Sequence, residues 1–419
     1  MLPEPERRFD QVVRIMAGMN LDYSSDRTAF SQLVRGHGIE EAFRSRELGR
    51  TFFDAAARVA PDEAFLFQQR GIFEMEEGGS LTLAQEHLER AESLEPHSRS
   101  IQHSLAVLAR RQALATPNKL LRDRLRDKAR ARVAPLVGLN AEHSYGYHTA
   151  AQIALDELHE LLSDELDDQM TERRIVELVR DVENFISEGL QKFPLNSHLL
   201  SLEADYLRLM QQHGKAEAAL TKAFTANPRQ DWIAIRLARM LDGTGRREDA
   251  KTVLVRCLQN NPNNRRVHFQ LAMLYMGQSS ESQRSLILDH LRRSFTTGDR
   301  NFEAQFWYAR EAFLDGKYDE AIQVFRDLAD APIPSSEKTQ IRGIIVDKNQ
   351  RSSVYTAEVV NVEATYIFIK CKEFPDNIFA HRSTVNGEEW NKLRRGSRIA
   401  CTIGFNLRGP TAATVRLLD

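Results

Sequence analysis

The chain has 419 residues, 42% hydrophobic and 28% charged, with a formal net charge of −2. That length accommodates a long helical array and one further small domain, and near-neutrality gives the whole molecule no general attraction to nucleic acid. Three cysteines, Cys257, Cys371 and Cys401, none in a CxxC pair, predict a reducing compartment and no zinc site. The opening MLPEPERRFD lacks an apolar signal core, and no apolar run reaches membrane-spanning length, so a cytoplasmic location with no membrane contact is expected. No Walker A, HExxH, GxSxG or Cys/His nucleophile arrangement occurs, so the expectation is a non-enzyme with no catalytic residues, no metal and no cofactor.

The block from Arg14 to Met75, RIMAGMNLDYSSDRTAFSQLVRGHGIEEAFRSRELGRTFFDAAARVAPDEAFLFQQRGIFEM, contains no catalytic motif. It resembles the segment that follows the nucleotide-binding and winged-helix part of large bacterial P-loop NTPases of the signal-transducing (STAND) type. That resemblance implies the sensor half of a bacterial defence or signalling NTPase, and association with a P-loop NTPase domain or subunit carried elsewhere.

Within and after this block the sequence becomes repetitive. LGRTFFDAAARVAP, ending at Pro61, reads as a second helix, and Gly71, Ala84, Leu88, Ala91 and Pro96 mark a full helix-turn-helix unit with a long turn at EEGGS. Residues 97–193 are irregular and read as degenerate repeats, with long helices at Ser98–Ala115, Asn118–Leu136, Tyr147–Leu162 and Glu172–Lys192. RDRLRDKARAR (Arg122–Arg132) and DELHELLSDELDD (Asp156–Asp168) read as two solvated helices exchanging salt bridges, the alternative for the first being a phosphate-binding stripe. HSYGYH, His143 to His148, reads as an inter-helix loop, and its two histidines are five apart, the wrong spacing for a metal site on one helical face.

Pro194, Pro228 and Pro262 then stand 34 residues apart. In the unit ending at Pro262 small residues fall at Ala238, Ala250 and Cys257, with Leu237, Leu241 and Leu254 between them; Ala204, Ala216 and Ala223, with Leu200, Leu207 and Leu220, hold the corresponding places one unit earlier. Ala272, Tyr275, Leu291 and Ser294 continue the register after a three-residue insertion near Ser279–Gln283, followed by Tyr308, Ala309, Ala312, Ala321, Phe325 and Leu328 around the turn GKYDEA. Small residues let paired helices approach and large apolar neighbours lock them. The period and the slots resemble the tetratricopeptide repeat, without its ideal tryptophan and glycine. GTGRREDAKT, Gly243–Thr252, falls at an inter-helix turn and not on a phosphate loop.

In tetratricopeptide arrays the first helices line a concave groove. The corresponding slots hold Trp232, Ile235 and Arg239, then Arg266, Phe269 and Met273, then Phe306 and Arg310. Aromatic, methionine and arginine side chains anchor interfaces, so these positions are expected to hold a protein or peptide ligand, extended and partly acidic. The competing expectation is that Ile235, Phe269 and Phe306 pack against the next repeat.

IPSSEK, Ile333–Lys338, reads as a linker, and the periodicity beyond it alternates. RGIIV, VYTAEVVNV, TYIFIKC, NIFAHR, SRIACTIGF and TAATVRLL read as strands of a small barrel. TYIFIK, IFAH and LRRGSRIACTIGFNLRGPTAATVRL resemble the motifs of a cold-shock domain, a barrel of the oligonucleotide-binding class. Thr365 and Ile367 replace the glycines of its first motif, and the first strand lacks the usual aromatic. The resemblance implies single-stranded nucleic acid, RNA before DNA, on Tyr366, Phe368, Phe379 and His381, with Lys370 and Arg382 as basic neighbours. The competing expectation is that these rings seal the barrel and His381 is structural.

The resulting expectation is a mostly α-helical chain: a tetratricopeptide-like α-solenoid over residues 1–334, then a cold-shock-like β-barrel over 335–419. Its expected role is binding and sensing, the alternative being a pure protein-interaction scaffold with a structural barrel.

Overall fold

The computed structural model describes residues 4–36, 39, 45–138, 141–163, 169–277, 283–296, 299–331, 333, 338, 341–345 and 351–418. Most of the expected linker at 333–338, the insertion near Ser279 and the acidic end of the stretch reaching Asp168 lie outside the described residues. The chain forms two compact units, Met1–Ala223 and Phe224–Asp419.

The first unit opens with α1 (Glu4–Ala17), α2 (Ser24–Leu33) and α3 (Arg46–Val59), closed around Met16, Phe30, Val34, Phe52 and Phe53. Helix pairs follow: α4 (Ala64–Met75) with α5 (Leu81–Leu94), α6 (Arg99–Ala115) with α7 (Lys119–Val133), α8 (Tyr145–Ser163) with α9 (Gln169–Lys192), and α10 (Ser197–Leu209) with α11 (His213–Ala226). Ser80, Asn118 and Asn196 cap α5, α7 and α10, each accepting a backbone N–H three residues on. A Cβ at Gly71 would lie 2.6 Å from Leu88 Cγ, so the contact between α4 and α5 requires a glycine there. The small-residue slots Ala84, Ala91, Ala204 and Ala216 are buried, as the repeat register expects.

The basic and acidic segments of this unit neutralise each other. Arg122 and Arg126 both pair with Glu160, Arg130 and Arg174 with Glu157, and Arg110 holds Asp156 bidentately at 2.5 and 3.0 Å. These arginines hold the Glu157 and Glu160 carboxyls below the usual range against the opposing effect of burial. The expected loop at 143–148 is shorter than read from sequence, because α8 already begins at Tyr145. The Tyr145 ring packs on His103, centroids 4.4 Å apart, and the His103 Nε2 meets Thr149 Oγ1 at 2.9 Å, which anchors this first turn.

The second unit contains α12 (Asp231–Gly243) with α13 (Arg247–Asn260), α14 (Arg265–Met276) with α15 (Arg284–Arg293), and α16 (Phe302–Leu314) with α17 (Tyr318–Asp330). Ala238, Ala250, Leu254 and Cys257 are fully buried between their helices. The turns repeat to the atom. Gly245 (φ 81°) donates to Asp242 O while Arg246 donates to Leu241 O; Gly316 (φ 79°) and Lys317 do the same to Phe313 O and Ala312 O. This is the glycine-terminated helix end in which a left-handed residue satisfies the last carbonyls. Thirty-four residues before Gly245, in the first unit, Gln211 adopts φ 58° and makes the same pair of bonds with Gln212, to Arg208 O and Leu207 O. A side chain in this conformation is strained.

After α17 the chain forms β1 (Gly343–Ile344), β2 (Val354–Val362), β3 (Tyr366–Cys371), β4 (Ile378–His381), β5 (Arg398–Asn406) and β6 (Gly409–Leu417). The order is β1-β5-β2-β3-β4-β6, and β5 also pairs with β6, so five strands close into a barrel with β1 added at the far end of β5. All pairings between these strands are antiparallel except β4 with β6. Alternation sends Val359, Ile367, Ile369, Ile378, Ala380, Ile399 and Ile403 inward, each 0 or 1% exposed.

The barrel and the last helices share one core, which runs from Ala272 through Phe313 and Phe325 to Phe405 and Val415. Phe405 of β5 packs edge-on against Phe313 (5.5 Å) and stacks on Phe325 (6.0 Å), and Phe374 stacks on Phe313 at 6.0 Å. Phe306 is fully buried beside Phe325. Arg310, 8% exposed, donates to the Ile344 carbonyl of β1 at 3.1 Å, pairs with Glu311 and lies over the Trp307 and Phe405 rings. A Cβ at Gly343 would come within 3.1 Å of both Arg310 and Trp307, so β1 lies directly against α16. The expectation that Phe306 and Arg310 line an exposed groove therefore does not hold: the barrel covers that end of the helices and both side chains belong to the joint.

Two stability tests follow from this architecture. Phe405→Ala removes a ring from the joint and is expected to cost about 3–5 kcal/mol, read as a lower denaturant midpoint with loss of both helical and barrel signals. Gln211→Gly relieves a left-handed side chain and should stabilise by about 0.5–1 kcal/mol, read as a small rise in the melting temperature of the first unit.

Candidate functional site

The outer face of the barrel carries the candidate site. On β3 the residues that alternate with the buried Ile367 and Ile369 are Tyr366, Phe368 and Lys370; on β4 those flanking Ala380 are Phe379 and His381. Antiparallel register sets Phe368 opposite Phe379 and Tyr366 opposite His381. The three aromatic rings form a triangle with centroids 5.7 Å (Tyr366–Phe368), 5.5 Å (Tyr366–Phe379) and 6.0 Å (Phe368–Phe379) apart. Phe379 is 37% exposed, while Tyr366 and Phe368 are half-buried by one another. The rings do not seal the barrel, whose interior is filled by the residues between them.

A bulge in β2 frames this triangle. The register slips between Val359 and Asn361, so Asn361 stands opposite Phe368, and its Oδ1 accepts the Phe368 N–H at 3.1 Å. Nothing in the sequence distinguishes this asparagine from its neighbours; only the pairing reveals it. Thr411 of β6 donates its hydroxyl to the Phe379 carbonyl at 3.1 Å, fixing the other edge.

The polar members are held less uniformly. Lys370 is exposed and donates to the Pro375 carbonyl at 2.7 Å; its cross-strand neighbour is Glu358, which in turn faces Arg398. The His381 ring meets Ser383 Oγ at 2.8 Å and caps the short turn that follows, so this histidine has a structural task. Arg382 lies 5.7 Å from the ring of Trp390, a residue of the short helix α18 (Gly387–Trp390) that sequence reading passed over. The interior thiols take no part: burial pushes Cys371 up to about 11 and Cys401 up to about 12.

The expected groove is only partly present. Arg239 is exposed and donates to Gln270 at 3.1 Å, and Arg266 is exposed and pairs with Asp231 at 3.4 Å. Trp232 and Met273 are half-buried, and Phe269 packs against the shared core. Ile235 is buried at 7% and falls to the packing alternative, as does Phe306. Among the described residues no group of three histidine, cysteine or acidic side chains is arranged to hold a metal ion, and no helix is long and apolar enough to cross a membrane.

Residues 207–271 match the family model of the tetratricopeptide repeat. The chain consists of tetratricopeptide-like helical repeats followed by a closed five-stranded barrel. Among solved structures, it is similar to a thermophilic tetratricopeptide-repeat protein of Thermus thermophilus, at 17% identity over 51% of this chain and 100% of that one, with a TM-score of 0.39. It is similar to PilF of Pseudomonas aeruginosa at 15% identity, covering 66% and 95% of the two chains, TM-score 0.35. It is also similar to human IFIT1, solved as a dimer with m7Gppp-AAAA, at 14% identity, 81% and 76% coverage and TM-score 0.37. No curated protein matches the chain.

Proposed function

We propose that this chain is a non-catalytic binding and sensor module in two parts, a repeat array over residues 1–334 and a barrel over 335–419. The barrel takes single-stranded RNA on Tyr366, Phe368 and Phe379, and the exposed repeat surface takes a protein or peptide. The observation that carries the reading is the outward triangle of rings. Leaving such side chains on a surface forgoes about 1.5–3 kcal/mol each relative to full burial, and clustered exposed apolar groups mark interaction sites. Bases stack on aromatic faces with little regard for sequence, while nearby cations neutralise the backbone; Lys370, Arg382 and Arg398 supply them. From Glu337 to the end, 13 Lys/Arg stand against 9 Asp/Glu, the opposite balance to the rest of the chain. Five antiparallel-rich strands closed by one parallel pair support a barrel of the oligonucleotide-binding class. The motif resemblance makes it cold-shock-like. The resemblance of the Arg14–Met75 block adds the setting: the sensor half of a cytoplasmic bacterial defence NTPase, its motor carried elsewhere.

A second reading rests on the shared core. Repeat arrays need a terminal element with a polar outer face, and the barrel covers α16 and α17 in that way. On this reading the chain is a protein-interaction scaffold and the barrel is its cap. Binding of a fluorescent single-stranded RNA at two salt concentrations separates the two. The RNA reading expects binding that weakens with salt and that falls about 5- to 150-fold for each of Phe368→Ala and Phe379→Ala, from about 1–3 kcal/mol per stacked base. Absent binding, or binding indifferent to both changes, leaves the cap. For the repeat surface, Arg239→Glu with Arg266→Glu should abolish capture of an acidic peptide without lowering the melting temperature. Arg310→Glu should instead unfold the joint.

A further inference from the structure

The first unit contains a cleft of about 560 Å³ between α9, α10 and α11, within the usual size range of ligand sites. Ile186, Leu207 and Ala219 give it an apolar floor, and Glu203, Lys215 and Lys222 stand at its walls. It lies outside the expected concave groove. The slots one repeat before Trp232, Ile235 and Arg239 are His198, Ser201 and Asp205, and none of them lines it.

Glu203 differs from the carboxylates of this unit that the protein's own side chains hold. Glu74 is held by Arg50, Glu92 by Arg132, Asp156 by Arg110, Glu157 and Glu160 by two arginines each, and Glu183 by the Tyr206 hydroxyl at 2.7 Å. Glu203 has no hydrogen bond or ion pair among the described residues, and neither do Lys215 and Lys222. Burial accordingly raises the Glu203 carboxyl above its ordinary range, opposed in part by the charge of Lys222. An acid and two cations are thus left without a hydrogen bond or ion pair around one apolar hollow. Desolvating the half-buried Glu203 is unfavourable until a partner supplies the missing bonds, and the exposed Lys215 and Lys222 stand beside it.

We infer that this cleft docks a peptide segment in which an arginine or lysine stands beside an acidic residue, the cation on Glu203, its aliphatic stem over Leu207 and Ala219, and the carboxylate on Lys215 and Lys222. The site is independent of the barrel and of the groove in the second unit, so it stands or falls apart from the function proposed above.

The test uses the full chain and the blocked tetrapeptide acetyl-Leu-Arg-Asp-Leu-amide, with acetyl-Leu-Gln-Asn-Leu-amide as its uncharged counterpart, followed by calorimetry or by NMR of the peptide. The charged peptide is expected to bind at least about tenfold more tightly, from about 1.4 kcal/mol, and Glu203→Gln should remove that advantage. Without peptide, Glu203→Gln should leave the melting temperature unchanged or raise it, since the folded state disfavours that charge. Lys222→Gln, on an exposed side chain, tests the other half without risk to the core and should weaken the charged peptide severalfold while leaving the uncharged one alone. Equal binding of the two peptides, no binding of either, or Lys222→Gln and Glu203→Gln variants that bind as the parent does would each overturn the proposal.

Discussion

The second unit depends on the packing of Phe405 between Phe313 and Phe325. A strand residue and two helix residues share one desolvated volume, so helix pair and barrel cannot be separated without exposing three rings. The polar contact beside it acts in the same direction. Arg310 is 8% exposed, and its bond to the Ile344 carbonyl is made only when β1 lies on α16, whereas its pair with Glu311 stays within the helix. Removing the barrel would therefore break that bond as well as bare aromatic surface to water. The junction is the kind of contact that fixes orientation: the outer face of β3 and β4 is held in one attitude to α16 and α17.

The repeat geometry rests on a smaller constraint, which recurs. At three helix pairs the first helix ends in a left-handed residue. Gly245 and Gly316 adopt that conformation without strain, whereas Gln211 adopts it with a side chain. That the same two hydrogen bonds form at all three turns indicates that the packing of the flanking helices dictates the turn, since the turn residue at Gln211 opposes it. The three φ values and the 34-residue spacing are one fact seen at two levels.

Much of this is legible in the sequence. The slots Ala238, Ala250 and Cys257 were placed in the core by periodicity alone, and the six strands by alternation, because both signals arise from which face a side chain must turn to its own neighbours. That Tyr366 and Phe368 share one face of β3, and Phe379 and His381 one face of β4, follows from the same parity; the register that joins the two faces does not. What sequence could not supply was contact between distant segments. Phe306 and Arg310 occupy slots that face solvent in an open array; Phe306 packs instead on Phe325 of α17, and β1 and β5 come onto Arg310. The bulge that brings Asn361 opposite Phe368, and the stacking that starts α8 at Tyr145, likewise depend on a partner that is remote or of no marked composition. Glu203 passed unnoticed for a related reason: a carboxylate without a partner looks, in sequence, like any other.

These two kinds of surface differ in how they hold free energy in reserve. On the barrel the reserve is apolar: three rings touch each other on one side and solvent on the other, and any planar ligand that covers them gains area without displacing strong hydrogen bonds. Around Glu203 the reserve is electrostatic, because burial has already removed much of the water that would have satisfied the acid. Salt should accordingly leave the stacking component at the barrel largely intact while weakening its backbone contacts. The cleft, partly shielded from solvent, should lose less to screening than an exposed pair would. A chain that leaves these rings and this acid open concentrates its capacity for recognition at places that its own folding does not use.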